Sequence, residues 1–265
     1  MVFLFFYFNI MKKKIVIKIW TSTLTWWSNK ISYSKIEDIA KQIVELTDIY
    51  HIILVSSWAI ATAKQFTNIK WQTTDLPSKQ ALSAIWQPKL MHIYDEVFES
   101  YWLSVAQALL THTDFTNENS IKNTNNTISK LLEMNYIPII NENDTVATDE
   151  IKLWDNDKLS ALVAKVINAD LLIIASDIDG LYNDNPHLNK NAKLIKKVID
   201  LDEIKDFIKE KHTNLWTWWM KTKIDAAKIC QDNRINMRII NWWKNNFIAD
   251  AINNKIEFTK FKFRK

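Results

Sequence analysis

The stretch Leu171-Leu172-Ile173-Ile174-Ala175-Ser176-Asp177-Ile178-Asp179-Gly180 passes from an unbroken apolar run into a polar turn. An apolar run without polar alternation is typical of a strand that is buried on both faces. The preceding segment, Lys158–Ile167, has the apolar spacing of a helix, so a helix leads into this strand. Ligands of parallel sheets bind beyond the carboxyl ends of the strands, so we expect functional groups in the turn that follows Ala175.

The same alternation recurs along the chain. Further strands are predicted at Lys14–Ile19, His51–Val55, Val105–Leu110, Ile137–Ile140 and Met237–Ile240. Helices are predicted from a Ser34/Glu37 capping box to about Leu46, after Ser57, from Pro77-Ser78, and at Lys89–Tyr101, Ile121–Met134 and Lys221–Gln231. Apolar strands separated by helices predict a three-layer α/β/α sandwich with a mainly parallel central sheet. The basic, aromatic tail Lys255–Lys265 is expected to be a terminal strand or a frayed end.

The composition describes a folded protein with an unremarkable charge. The 265 residues are 48% hydrophobic and 24% charged, which excludes wholesale disorder. A net charge of +4 is too small to indicate nucleic-acid binding, although it suits a small anionic ligand. The single cysteine, Cys230, excludes an intrachain disulfide framework.

The first ten residues are apolar but too short to span a bilayer, and they lack the charged start and cleavage site of a signal peptide. We expect residues 1–10 to be an upstream extension or mis-start before a single domain at residues 11–265. No other long apolar run is present in the sequence, so the prediction is a cytoplasmic protein without a membrane segment.

The glycine content is abnormal. A usage near 7% predicts about 18 glycines, yet the chain has one, Gly180, and 13 tryptophans. Tryptophan stands in polar turn contexts that favour glycine at Trp26, Trp27, Trp154, Trp218, Trp219, Trp242 and Trp243. We hypothesise that most Trp positions are glycine in the living protein, through a UGA codon read as glycine. The alternative is a protein with many surface indoles that binds carbohydrate or a membrane interface, but it leaves the shortage of glycine unexplained.

Two segments have the features of phosphate sites. Lys18 ends the first strand and precedes a small-residue turn, where backbone N–H groups and an ammonium could meet a phosphate. With glycine at the Trp positions, Thr217–Lys223 becomes a glycine-rich loop that leads into a helix and carries lysines. Its spacing is not that of a Walker loop. A solvated lysine and an ordinary turn remain the alternatives for each segment on its own.

Two further polar segments follow the fourth strand of the predicted sheet. Asn141–Val146 leaves a core strand with consecutive polar groups, which need partners and could find them in a polar ligand. Trp154–Ser160 places carboxylates and an amide at a helix start. Calcium-loop spacing is missing there, and a simple helix-capping cluster remains the alternative.

Together these stretches resemble the amino-acid kinase family, in the branch that phosphorylates L-glutamate. In family order, the matching stretches are 17–22, 55–61, 78–82, 85–90, 103–107, 141–148, 150–160, 176–182 and 217–223. The pairing of Asn-Glu-Asn-Asp-Thr-Val-Ala-Thr with Thr-Gly-Gly-Met-Lys-Thr-Lys, once Trp is read as Gly, is highly specific. If these clusters were only helix caps and turns, their appearance in the order of the family would be a coincidence.

The resemblance implies that ATP phosphorylates the γ-carboxylate of L-glutamate, the first step of proline synthesis, with Mg²⁺ on the phosphates. Lys18 and Lys223 would neutralise the transferring phosphoryl group, and Asp157 would hold both lysines in place. Glutamate would bind at Ser57, Asn141, Asp144 and Asn156. ATP would bind at Lys18, Ser176, Asp177, Thr217, Trp218, Trp219, Met220, Lys221, Thr222 and Lys223. Proline feedback and a homo-oligomer are also implied.

The chain departs from the family pattern in several places. It ends after the kinase region, so the C-terminal RNA-modification-type (PUA) domain that the family often carries is expected to be absent. Ser176 replaces a common threonine and keeps the hydroxyl. Genuine indoles at positions 20, 58, 218 and 219 would fill the phosphate site. The alternatives are therefore another enzyme of this family or a catalytically inactive glutamate or proline sensor.

Overall fold

The computed structural model describes residues 12–19, 32–56, 75–146, 156–204 and 214–263, with the backbone alone for 214–219. These residues form an eight-stranded sheet in the order β3-β4-β2-β1-β5-β7-β8-β6. The strands are β1 (Lys13–Ile19), β2 (Tyr50–Ser56), β3 (Ser104–Leu110), β4 (Tyr136–Glu142), β5 (Leu171–Ser176), β6 (Lys197–Val198), β7 (Asn236–Asn241) and β8 (Thr259–Phe261). Neighbouring strands pair in parallel except β7 and β8, which confirms the predicted mainly parallel sheet.

Helices cover both faces of this sheet. They are α1 (Tyr33–Val44), α2 (Leu76–Glu99), α3 (Glu118–Glu133), α4 (Asn156–Val166), α5 (Asn214–Asp232) and α6 (Phe247–Ile252). Short 3₁₀ turns lie at His112–Phe115 and Leu201–Ile204.

Alternate residues of the central strands contribute to two separate cores. Ile17 faces the core formed with α1, α2 and α6. Val16, its neighbour in β1, faces the core formed with α3, α4 and α5. Burial on both faces is the reason why the central strands are apolar throughout, and it confirms the three-layer sandwich.

Several predicted helix boundaries differ from the structure. The first helix begins at Tyr33 after Ser32, so Ser34 lies in the first turn and does not cap it. The two helices predicted from Pro77 and Lys89 form one 24-residue helix, α2, which contains Pro88. A proline removes one intrahelical hydrogen bond, but the apolar face of α2, including Leu82, continues past Pro88 into the core.

The start of helix α5 also differs from the prediction. This helix begins at Asn214, seven positions before Lys221, where it was predicted to start. As written, no glycine interrupts residues 214–220, and glycine is the residue that would weaken a helix there by about 1 kcal/mol per position.

The C-terminal tail forms a terminal strand, β8, which pairs antiparallel with β7.

Gly180 is required by a close approach between the turn after β5 and strand β8. A Cβ atom at this position would lie 2.2 Å from Thr259 Oγ1 and 2.7 Å from the Thr259 backbone nitrogen. The same Thr259 hydroxyl accepts from the Leu181 N–H at 2.7 Å and donates to the Ile195 carbonyl at 2.7 Å. The sole glycine of the chain therefore allows β8 to pack against the turn that follows β5.

The polar segment after β7 is a turn, as predicted, but the Trp242 indole is not on the surface. It is 1% exposed and stacks on Trp243 with ring centroids 3.9 Å apart. Residues 1–10, Ser57, Trp26, Trp27 and Trp154 lie outside the described residues. Within the described ranges, no helix combines the length and the apolar character that crossing a membrane requires.

Candidate active site

Two lysines and one aspartate form a buried cluster beneath the carboxyl edge of the sheet. Lys18 Nζ lies 2.7 Å from Asp157 Oδ1, and Lys223 Nζ lies 3.0 Å from Asp157 Oδ2. All three side chains are 0–1% exposed. The Thr222 hydroxyl also donates to Asp157 Oδ2 at 3.2 Å. The structure thus brings together the three residues predicted to be catalytic.

The carboxylate of this cluster is held ionised. Burial alone would raise the pKa of Asp157, but the adjacent ammonium groups of Lys18 and Lys223 outweigh burial and hold this pKa well below its ordinary value. With two cations and one anion, the cluster presents one net positive charge that is shielded from solvent. Such a site can stabilise negative charge that develops on a reacting group.

Three different elements supply the cluster. Lys18 is the sixth residue of β1 and shares the sheet face of Val16, so it is a polar residue in an apolar strand. Asp157 lies in the first turn of α4, and Lys223 lies within α5, which packs on α4. The positive end of the α4 dipole favours an anionic side chain at this place.

Two amide side chains near this edge have buried polar atoms that lack partners among the described residues. Asn141 is 2% exposed; its Oδ1 accepts from the Glu142 N–H at 2.9 Å, but its Nδ2 has no acceptor there. Asn156 Oδ1 has no donor within the same ranges. Unsatisfied buried polar atoms are costly, so a polar ligand is the natural partner for both.

A buried pair of glutamines, Gln87 of α2 and Gln107 of β3, was not predicted as part of the site. Gln107 Nε2 donates to Gln87 Oε1 at 2.9 Å, while Gln87 Nε2 is buried with no acceptor among the residues described. Gln107 is level with Ile139, two residues before Asn141 on the same face of the sheet. The sequence signals are the stretches 85–90 and 103–107, which match the family pattern and contain both glutamines, and the helical spacing of seven between Gln87 and Tyr94. Burial raises the pKa of Tyr94 to about 12.

Two carboxylates follow Asn141 at the end of β4. Burial and the nearby Asp144 charge raise the pKa of the half-buried Glu142 to about 7. The turn Asn143–Val146 is closed by a bond from the Val146 N–H to the Asn143 carbonyl at 3.1 Å. This turn holds Asp144 at the sheet edge, where a ligand ammonium would relieve the repulsion between the two carboxylates.

The ends of β5 and β7 form the neighbouring part of the edge. Ser176 is 1% exposed and donates to Asp177 Oδ1 at 3.3 Å. Opposite it, Asn241 donates to Asp179 Oδ1 at 3.1 Å, and Lys244 lies 2.7 Å from the same oxygen. Asn241 was not predicted as part of the site, although it ends β7 and Asn141 lies one residue before the end of β4.

The predicted glycine-rich loop is a helix in the chain as written. Residues 217–223 lie inside α5, where Met220 is buried in the core, Lys221 is exposed and Lys223 reaches Asp157. This part of the site prediction depends on glycine, which alone favours the open backbone of a phosphate loop. The side chains of Trp218 and Trp219 lie outside the described part of the structure.

The described residues do not offer a ready-made metal centre. Within these ranges, no group of three or more His, Cys, Asp or Glu side chains could hold a metal ion.

Comparison with known proteins identifies relatives over most of the chain. The model of the amino acid kinase family matches residues 13–241. A protein of Clostridium acetobutylicum named glutamate 5-kinase is 43% identical over 94% of this chain and 94% of its own length. Another of that name, from Clostridium tetani, is 41% identical with the same coverage of both chains.

Solved structures show the same fold at lower identity. UMP kinase from Ureaplasma parvum superposes with a TM-score of 0.67 at 21% identity, over 95% of this chain and 99% of that one. Carbamate kinase from Giardia lamblia gives a TM-score of 0.70 at 17% identity, over 96% and 99%.

Proposed function

The chain belongs to the amino acid kinase family, and from that premise we propose that it is a glutamate 5-kinase, which transfers the terminal phosphoryl group of ATP to the γ-carboxylate of L-glutamate. The product is an acyl phosphate, the first intermediate of proline synthesis. The observation that carries the proposal is the buried Lys18–Asp157–Lys223 cluster at the ligand-binding edge of the sheet.

The charges of this cluster suit phosphoryl transfer to a carboxylate. The nucleophile is already ionised at neutral pH, so the reaction needs alignment and charge neutralisation rather than a general base. Lys18 and Lys223 would face the anionic reactants from two sides. Asp157 keeps both ammonium groups in place and, because its pKa is low, never competes for their protons.

The amide groups fit the recognition of glutamate. Asn141 Nδ2 is an unused donor and Asn156 Oδ1 an unused acceptor, which matches a substrate that carries both carboxylate and ammonium groups. We assign the α-ammonium to Asp144, as the resemblance implies, and place Ser57 in the same site. Gln87 and Gln107 would then position the Asn141 end of the pocket.

ATP would bind beside this pocket, at Ser176, Asp177 and the segment Thr217–Lys223. Mg²⁺ would be carried on the ATP phosphates, where it neutralises charge and fixes their geometry. A cytoplasmic location, a homo-oligomeric state and feedback inhibition by proline are parts of the same proposal.

We further propose that glycine replaces most of the tryptophans in the native protein. Trp102 supports this: its backbone has a φ of 58° and its side chain is 96% exposed. The Trp102 N–H donates to the Glu99 carbonyl and the Leu103 N–H to the Phe98 carbonyl, a helix-ending motif whose positive-φ residue is usually glycine. The Trp242 indole N–H, in turn, is buried without an acceptor among the described residues. Peptide mass spectrometry across Thr217–Lys221 of the native protein tests this proposal, and intact tryptophan there would refute it.

The activity is tested by coupled ADP release from the chain that carries glycine at the Trp positions. We expect turnover with glutamate and little with aspartate, N-acetylglutamate or UMP. Lys223→Met should remove most of this turnover, whereas Lys130→Met, a change on the exposed surface of α3, should not. Faster turnover with another acceptor would refute the glutamate assignment, and failure of the glycine chain to bind ATP would indicate an inactive sensor.

A further inference from the structure

A second cluster of cations lies at the opposite edge of the sheet from the proposed active site. A cavity of about 510 Å³ opens there, beside the first residues of β1, β2, β5 and β7. Its charged lining consists of Lys13, Asp170, Arg238, Lys260 and Lys262. Lys13 precedes Lys18 by five strand residues, so this cavity lies roughly 16 Å from the buried cluster of the active site.

The strand register places three cations side by side. Lys260 of β8 is directly opposite Arg238 of β7 on one side and directly opposite Lys197 of β6 on the other. Like charges in directly opposed positions destabilise a sheet. A row of three such residues is unfavourable unless an anion lies against it.

Neighbouring protein groups balance only part of the positive charge of this row. One Arg238 guanidinium nitrogen donates to the Ala251 carbonyl, and the guanidinium lies 5.1 Å from the Phe258 ring. Arg238 Nε is buried and has no acceptor among the described residues. Asp170 is the one carboxylate in the lining, and it accepts from the Lys14 backbone N–H at 3.0 Å.

Electrostatic strain at Lys260 agrees with this geometry. Burial, together with the neighbouring charges of Arg238, Lys262 and Lys197, lowers the pKa of Lys260. A bound anion would reverse the effect of these neighbours, because it would favour the charged form of the lysine.

We propose that this cavity binds a small anion that carries at least two negative charges on phosphate groups. The volume admits a ligand of the size of a nucleotide or sugar phosphate. Arginine and clustered lysines are the side chains that favour phosphate oxygens, and the unused Arg238 Nε–H supplies a directed donor within the row. The site is separate from the proposed nucleotide site and does not depend on the assigned activity.

Inorganic pyrophosphate is a suitable probe, with titration calorimetry of the full chain as the measurement. Lys260→Met removes the centre of the row, and Lys223→Met removes a cation of the proposed active site. We expect Lys260→Met to weaken one binding step by at least about tenfold, the worth of a charge-assisted contact. Lys223→Met should leave that step intact. Lys130→Met, at an exposed position on α3, is the matched control and should bind as the wild type does.

Thermal unfolding provides a second readout. Lys260→Met should raise the melting temperature of the free protein, because it relieves the repulsion, and should abolish most of the rise that pyrophosphate causes in the wild type. Absence of binding would overturn the proposal. So would a binding step that Lys223→Met removes and Lys260→Met keeps, or one that Lys130→Met weakens equally.

Discussion

The substitution Asp157→Asn should separate the charge balance of the buried cluster from its shape. Asparagine has nearly the volume of aspartate, but it leaves the ammonium groups of Lys18 and Lys223 in a space where both side chains are 0–1% exposed. Breaking a buried ion pair from one side costs about 3–5 kcal/mol, because an uncompensated charge remains. For a domain of this size that loss lowers the melting temperature by roughly 10 °C.

The matched control replaces the whole cluster by apolar residues, as Lys18→Met, Asp157→Leu and Lys223→Met together. This triple variant buries no charge, so its free energy of unfolding should equal or exceed that of the wild type. Urea unfolding followed by circular dichroism measures both variants. Both should also lack kinase activity, the triple variant despite its intact fold.

The pH dependence has a definite sign. The folded pKa of Asp157 lies below its unfolded value, so the stability it contributes is fully present above about pH 4 and is lost as the pH falls further. The difference between wild type and Asp157→Asn should therefore be constant at neutral pH and shrink in acid. An Asp157→Asn protein as stable as the wild type at pH 7 would contradict the view that Asp157 neutralises two buried lysines.

Other residues give predictions of the same kind. The pKa of Glu142 is raised to about 7 by burial and by Asp144, so its ionisation disfavours the folded state as the pH rises from about 4.5 to 7. The melting temperature of Glu142→Gln should exceed that of the wild type at pH 8 and equal it at pH 4. An equal difference at both pH values would show that the ionisation of Glu142 is not the cause. Gln87→Met should raise the KM for glutamate about tenfold with little change in kcat, because it removes a buried amide and not a reacting group; a fall in kcat alone would exclude the positioning role. Gly180→Ala should cost about 1–3 kcal/mol of unfolding free energy through its collision with Thr259, and wild-type stability of that variant in urea would show that β8 can move away.

The sequence predicted the sheet well because its strands are unusually easy to identify. Burial on both faces makes β1, β2 and β5 mainly apolar runs, and such runs have few other interpretations. The single helix α2 was split in the prediction, since a proline usually ends a helix, and only the tertiary contacts on both sides of Pro88 keep it whole. The early start of α5 depends on whether glycine or tryptophan occupies positions 216, 218 and 219.

The cluster of Lys18, Asp157 and Lys223 could not be derived from local sequence pattern. Asp157 and Lys223 are 66 positions apart, and no spacing rule brings them together. Their roles followed from the resemblance of whole motifs to a family. The glutamines of α2 and β3 were missed because a glutamine on a helix is ordinarily solvated, and only the fold shows that Gln87 is 4% exposed.

The two cation clusters of this protein differ in how their charge is balanced, and this difference suits two kinds of ligand. In the buried cluster, Asp157 lies within 3.0 Å of both lysines, so the cations are fixed before any substrate arrives and need not reorganise during the reaction. In the row centred on Lys260, no carboxylate occupies the opposed register positions of β6, β7 and β8. The row therefore retains repulsion that a bound anion would relieve, so it would gain stability from its ligand, whereas Asp157 already neutralises one of the two cations of the buried cluster.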